Sequence, residues 1–356
     1  MQVGLIGLPQ AGKKTLMRLL TGVDAAASAG NGEAVPGVCP VRDPRIERLT
    51  ALYRPAKVTP ATIQYWLMPD VTKDSAKNQE LLKALLAVDA LACVVRAFHD
   101  EAVFHLDGTV DPARDAGTIQ AELILNDLLF VEKRLERLAK ESKSRGGADR
   151  SHEQALLHRL QAHLNEGQPL RTLVLDEQAR RLLSGTPLLT RKACVIVLNV
   201  DEAAVRDRRL SEEIAQRNTE QQVHVVQLSA KIEEELSQLE DPGERAAFMQ
   251  ELGIAEPAID GLTRVSYAAL GLISYFTVGS DEVRAWTVRR GACAPEAGGV
   301  IHSDIERGFI RAEQMTYDDL LALGSEQAVA AAGKASLKGK EYVVADGDIL
   351  SFRFNT

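Results

Sequence analysis

The stretch Gly7-Leu8-Pro9-Gln10-Ala11-Gly12-Lys13-Lys14-Thr15 constrains this chain more than any other. A glycine, four residues and then Gly-Lys is the frame of a loop that wraps phosphate, with backbone N–H groups turned inward and a lysine ammonium near the terminal phosphates. Its flanks suit it. Gln2-Val3-Gly4-Leu5-Ile6 is a short apolar run that reads as a buried strand, and Thr15 to Leu20 opens a helix with apolar residues at helical spacing. A strand feeding a glycine-rich turn into a helix aims the helix N-terminus at an anion. The competing reading is an ordinary tight strand-to-helix turn. Gly7, Gln10, Ala11, Gly12, Lys13, Lys14 and Thr15 are the candidate phosphate-binding residues. One residue breaks the frame. The position after the lysine should carry a Ser or Thr hydroxyl for Mg²⁺, and here it is Lys14.

Length and charge bound what surrounds the loop. A chain of 356 residues has room for two or three domains with sizeable cores. Hydrophobic content of 45% and charged content of 26% are those of a soluble globular protein. The formal charge of -8 gives no general attraction for nucleic acid, although a local basic patch would supply one. No run is long and apolar enough for a transmembrane helix, so no membrane partner is expected. The chain enters a strand at once, without a secretory leader, which favours a cytoplasmic location. Cys39, Cys93, Cys194 and Cys293 are far apart and lack metal-ligand spacing, so free thiols are expected, with Cys93 and Cys194 in the core.

Beyond the first helix, Val23 to Ala34 is rich in Ala and Gly, lacks periodicity and reads as a mobile loop. A switch segment here would offer a Thr to the metal, but only Ser28 is present. A helix is expected from Ile46 to Tyr53. Ala61 to Met68 reads as a strand, and in a nucleotide hydrolase its end carries an Asp that reaches Mg²⁺ and then a Gly near the γ-phosphate. This chain has Leu67-Met68-Pro69-Asp70-Val71 there. Two readings of Asp70 stay open: a displaced metal ligand, or a solvated turn residue after Pro69. A helix at Asn78–Ala87 and a buried strand at Ala90–Val95 follow. From Thr118 to Lys143 the period changes. Ile124, Leu128, Val131, Leu135 and Leu138 alternate at spacings of four and three, as in a coiled-coil seam. Ser144 to Asp149 breaks the pattern, and Ser151 to Asn165 resumes it, with Leu157, Leu160 and Leu164 on one stripe. This predicts an antiparallel helical hairpin. Its tip, Lys133 to Arg150, is rich in Lys and Arg, which is either a solvated face or a polyanion contact.

The α/β pattern then returns. Strand Ala193–Leu198 ends in Asn199-Val200-Asp201-Glu202, and strand Val223–Leu228 ends in Ser229-Ala230-Lys231. Loops at the carboxyl ends of parallel strands are where a base is read. Asn199, Val200, Glu202, Ser229, Ala230 and Lys231 are the candidate base-binding residues. Guanine readers carry Asn-Lys-x-Asp, and Val200 and Glu202 depart from it. The longer carboxylate does not suit guanine's two-point contact, which argues mildly for ATP, with GTP not excluded. From Ser274 the chain changes again, to short alternating runs between Gly and Asp turns with a helix at Tyr317–Leu323. This predicts a small α+β domain. His302, Asp304 and Glu306 alternate there, but a single His without Cys is a weak metal set.

Taken together, these residues resemble the YchF family of Obg-like ATPases over nearly the whole chain. The carriers are the Gly7–Thr15 loop, Val94-Val95-Arg96-Ala97-Phe98, Val110 to Asp115, Asn199 to Glu202 and Ser229 to Glu233. The C-terminal match is the most specific: Arg284 to Thr287, Gly299 to His302, Arg307 to Glu313 and Asp346-Gly347-Asp348. The resemblance implies an α/β P-loop NTPase core (1–116 and 187–273) with an inserted antiparallel helical hairpin (117–186). It also implies a C-terminal α+β ubiquitin-like TGS domain (274–356). It further implies ATP preferred over GTP, slow hydrolysis, and association with ribosomes or RNA. Three supports for Mg²⁺ are missing: the loop Ser is Lys14, the Asp-x-x-Gly slot reads Leu67-Met68-Pro69-Asp70, and the switch has no Thr. Mg²⁺ should bind poorly and hydrolysis should be weak or absent, with no residue assigned as catalytic and Asp70 the one weak metal candidate. Two functions follow: a nucleotide-binding switch that docks through the hairpin and TGS domain, or a scaffold that has lost nucleotide dependence.

Overall fold

The computed structural model describes residues 1–24, 33–72, 74, 77–141 and 148–355. The chain has a mixed α/β fold in two compact units, one of Met1–Val38 with Gln64–Ser266 and one of Cys39–Ile63 with Tyr267–Thr356.

The first unit is built on a six-stranded sheet. Its order is β2 (Val35–Pro40), β4 (Thr62–Leu67), β1 (Gln2–Ile6), β5 (Ala90–Ala97), β6 (Ala193–Val200) and β7 (Val223–Leu228). From β4 to β7 each neighbouring pair is parallel. Strands covered on both faces need continuous apolar sequence, and Ala-Leu-Ala-Cys-Val-Val in β5 and Cys-Val-Ile-Val-Leu in β6 supply it. Cys93 and Cys194 lie in this core as free thiols with Sγ atoms 3.6 Å apart. Parallel order brings the ends of β1, β5, β6 and β7 to one edge. From there emerge the Gly7 loop, the Phe98 loop, the Asp201–Glu202 turn and the Ser229 turn.

Between β5 and β6 the chain forms two long helices, Pro112–Glu141 and Ala148–Asn165, and a short one, Glu177–Leu182. The seam read from sequence is apolar for a physical reason: Ile124, Val131 and Leu138 are buried with Leu157, Leu160 and Leu164, and Leu128 and Leu135 pack on the same cluster. Arg134 pairs with Glu153 across the two helices. The first helix begins six residues earlier than its apolar period suggests, because Asp111 accepts the Arg114 amide at 3.0 Å and Pro112 suits a helix start. Asp127, fully buried in it, accepts the Leu189 and Thr190 amides at 2.8 Å each and the Thr190 hydroxyl at 2.7 Å. Burial nevertheless raises the Asp127 carboxyl above its ordinary value. The turn between the two long helices, residues 142–147, lies outside the described residues, and with it Lys143 and Arg145 of the basic stretch.

The second unit has its own six-stranded sheet. Its order is β11 (Ser336–Lys338), β10 (Phe309–Thr316), β12 (Asp348–Phe354), β8 (Leu272–Thr277), β9 (Glu282–Arg289) and β3 (Lys57–Thr59). Its core joins Ile273, Tyr275, Val288, Ala297, Phe309, Ala312 and Leu350. The four sequence segments did not group Cys39–Ile63 with the C-terminal residues, and three contacts account for the grouping. Lys57, Val58 and Thr59 run parallel to Glu282, Val283 and Arg284. Arg45 lies between Asp43 and Asp346 and 5.1 Å over the Phe276 ring. Tyr53 donates to Glu326 at 2.9 Å. The Asp346-Gly347-Asp348 motif is architectural: Asp346 also accepts the Ser274 amide, and buried Asp348 accepts from Gln314, Tyr342 and the Ala345 amide. His302 spends its Nδ1 accepting the Asp304 amide at a helix start, and no metal-holding cluster exists among the described residues. Among those residues, no helix is long and apolar enough to cross a membrane.

Candidate functional site

The loop after β1 is shaped by two glycines for different reasons. A Cβ on Gly7 would lie 2.3 Å from the Val94 carbonyl oxygen, so the loop can leave β1 beside β5 only without a side chain. Gly12, at the helix N-cap, has φ +96°, a backbone that disfavours side chains, and a Cβ there would meet the Asn199 amide nitrogen at 2.3 Å. Gln10 also adopts positive φ, at 63°. Left-handed residues interleaved with helical ones turn successive N–H groups to one side, the geometry of an anion-binding nest. Helix Lys13–Thr21 then begins with no side-chain cap and no acidic residue in its first turn, so its N-terminal amides are left for a ligand. A cavity of about 470 Å³ opens over the loop, lined by Pro9 to Thr15, Glu33, Val35 and Leu67 to Asp70.

Lys13 is bent back into this loop. Its side chain is 5% exposed, and Nζ donates to the Gly7 and Leu8 carbonyls at 2.8 Å each and to Asp70 Oδ1 at 2.5 Å. Burial lowers its proton affinity below the ordinary lysine value, with the Asp70 carboxylate working against that shift. Asp70, expected as a displaced metal ligand or a turn residue, is half-exposed and bound to the loop lysine. Lys14 is exposed at the start of the helix and Thr15 is half-buried.

The strand-end loops are joined to the phosphate loop by Asn199, which is 5% exposed. Its Nδ2 donates to the Ala11 carbonyl at 3.1 Å, and its Oδ1 accepts the Ala230 amide at 3.0 Å. Ser229 caps the helix that starts at Ala230. Glu202 and Lys231, both predicted base readers, form an ion pair with each other, which raises the Lys231 proton affinity. Val200 is 3% exposed and packs into the sheet core, so its side chain is not offered to a base. Sequence reasoning missed the Lys13–Asp70 pair. The available signal was a carboxylate in a slot that wants glycine. Glu33, a further cavity residue, follows a segment (25–32, with Ser28) that lies outside the described residues.

Among the described residues, the cavity does not fit Mg²⁺ of the ordinary loop type. The position that should present a hydroxyl carries an ammonium, and one of its two acids, Asp70, is bound to Lys13. Mg²⁺ wants oxygen ligands in near-octahedral array. The backbone cradle, in contrast, fits phosphate.

Residues 272–355 match the family YchF-GTPase_C, described as a protein of unknown function (DUF933). Over 364 residues the chain is 40% identical to the ribosome-binding ATPase YchF of Bacillus subtilis (strain 168), covering 99% of this chain and 98% of that one. It is 35% identical over 372 residues to Obg-like ATPase 1 of Oryza sativa subsp. japonica, covering 100% and 92%. The structure of the Schizosaccharomyces pombe YchF GTPase is similar at a TM-score of 0.85 and 32% identity, covering 99% of this chain and 97% of that one.

Proposed function

The chain belongs to the YchF family, and from that premise we propose that it binds ATP, with GTP as a second ligand, on the Gly7–Thr15 loop and acts as a ribosome- or RNA-associated switch. The observation that carries the nucleotide reading is Asn199. A buried amide tied to Ala11 on one side and Ala230 on the other holds the phosphate loop and the base-side loop in register, a placement that serves a ligand spanning both. Base contacts are assigned to the Asn199, Glu202 and Ser229–Lys231 region, through backbone where side chains are buried. Binding proceeds without tightly held Mg²⁺, with Lys14 supplying charge in its stead, and hydrolysis is weak or absent because charge neutralisation in phosphoryl transfer rests largely on the metal. The two packed helices are read as the hairpin insertion and residues 274–356 as a TGS domain, and both are the proposed docking elements. Relatives named as ribosome-binding support that partner.

A second reading, a nucleotide-independent scaffold, is favoured by one observation: Lys13 already has three partners within the chain. Calorimetry with ATP and GTP, each in Mg²⁺ and in excess EDTA, separates the two. ATP binding that survives EDTA supports the proposal, and a large loss in EDTA overturns its metal-poor part. Absence of binding by ATP, GTP and ADP alike, together with ribosome association unchanged by Lys13→Ala, selects the scaffold.

A further inference from the structure

Asp70 stands where the loop lysine would meet a terminal phosphate. An ammonium has three donors, and those of Lys13 go to Gly7, Leu8 and Asp70. The first two are carbonyls of the loop itself and anchor the side chain. The third faces the cavity. Asp70 is held there by the backbone. Met68 donates its amide to the Leu5 carbonyl at 3.1 Å, and Val71 donates to the Gly7 carbonyl at 3.0 Å, so residues on both sides are fastened to β1 and its loop. Pro69 further restricts the segment. The chain on both sides of Asp70 is thus fastened, and its carboxylate stands as an anion on the wall of a phosphate cradle.

In such a loop the backbone amides cradle the α- and β-phosphates, and the lysine reaches the β- and γ-phosphates. A third phosphate must either displace Asp70 or lie beside it, and like charges in one site disfavour each other's ionised forms. Among the described residues, the divalent cation that would relieve this has no fitting ligand set beside Lys14. A diphosphate escapes the conflict, because it fills the cradle and leaves the Lys13–Asp70 pair in place. We propose that Asp70 makes this site selective for nucleoside diphosphate over triphosphate, with its carboxylate occupying the terminal-phosphate position. This rests on the reading that the loop binds nucleotide.

The test is calorimetric titration of the full chain with ADP and ATP in excess EDTA, on wild type, Asp70→Asn and Asp70→Ala, with thermal melts confirming that each variant folds. Wild type is expected to bind ADP at least about tenfold tighter than ATP, and both variants to bring the two within about threefold by gaining ATP affinity. Equal wild-type affinities, or a preference that the variants retain, overturn the proposal while leaving nucleotide binding intact. If neither nucleotide binds any of the three proteins, the nucleotide reading fails and the selectivity falls with it. ATP binding that emerges only in the variants supports occlusion by Asp70.

Discussion

The phosphate side and the base side of the candidate site are fastened differently. At Asn199 a neutral amide, 5% exposed, makes two hydrogen bonds to backbone on separate loops. At Lys13 a charged group is buried against a carboxylate that is half in water. A buried neutral bond is costly to leave unmade and has nothing to exchange for, so it works as a frame. A half-exposed ion pair loses less when opened, because solvent and a competing anion replace the partner. Residues resembling a nucleotide site therefore divide into those that hold its shape and those that compete for its ligand. Glu202 and Lys231 add a third kind, an exposed pair whose members each satisfy the other.

Substitutions can break this contrast. Lys13→Ala should reduce nucleotide affinity about 10- to 150-fold, since hydrogen bonds to charged groups contribute about 1.5–3 kcal/mol, and calorimetry would show it. Asn199→Ala should act first on stability. It leaves the Ala230 amide and Ala11 carbonyl without their partner, about 2 kcal/mol in urea unfolding, and nucleotide affinity should fall as the loops lose register. If stability is unchanged, the amide is not a frame.

A smaller effect appears in pH. Burial holds Lys13 below the ordinary lysine value. Between that lowered value and the ordinary one, the unfolded chain binds more protons than the folded chain, so this group makes stability rise with pH there. Asp70 raises the Lys13 value, so Asp70→Asn should extend the window to lower pH. Urea midpoints of wild type and variant, compared over the alkaline range up to the ordinary lysine value, check the sign. Smallest of all, Lys231→Ala should leave the thermal midpoint unmoved, because the Glu202–Lys231 pair is exposed. A clear shift there would place the pair with the frame instead.

Much of the architecture was legible locally. The runs in β1, β5 and β6 are buried because their sequences are continuously apolar, and the helical seam is buried because its spacing is helical. Short elements were not. Val35–Pro40 and Lys57–Thr59 carry little periodicity and are strands only because β4 and β9 lie beside them. Val200 looked like a base reader because it follows Asn199, but strand alternation turns it into the core.

By itself the sequence determined the cradle: Gly7 and Gly12 are required by a close approach and a left-handed backbone, and glycine spacing is a local property. Only the tertiary structure decided how the cradle is occupied and held. Lys13 meets Asp70 across 57 positions and Asn199 meets Ala11 across 188, and nothing in either stretch alone implies its partner. Parallel strands joined by long crossovers bring distant loops to one edge, so the charges around a phosphate loop are set by pairing order, not by neighbours in sequence.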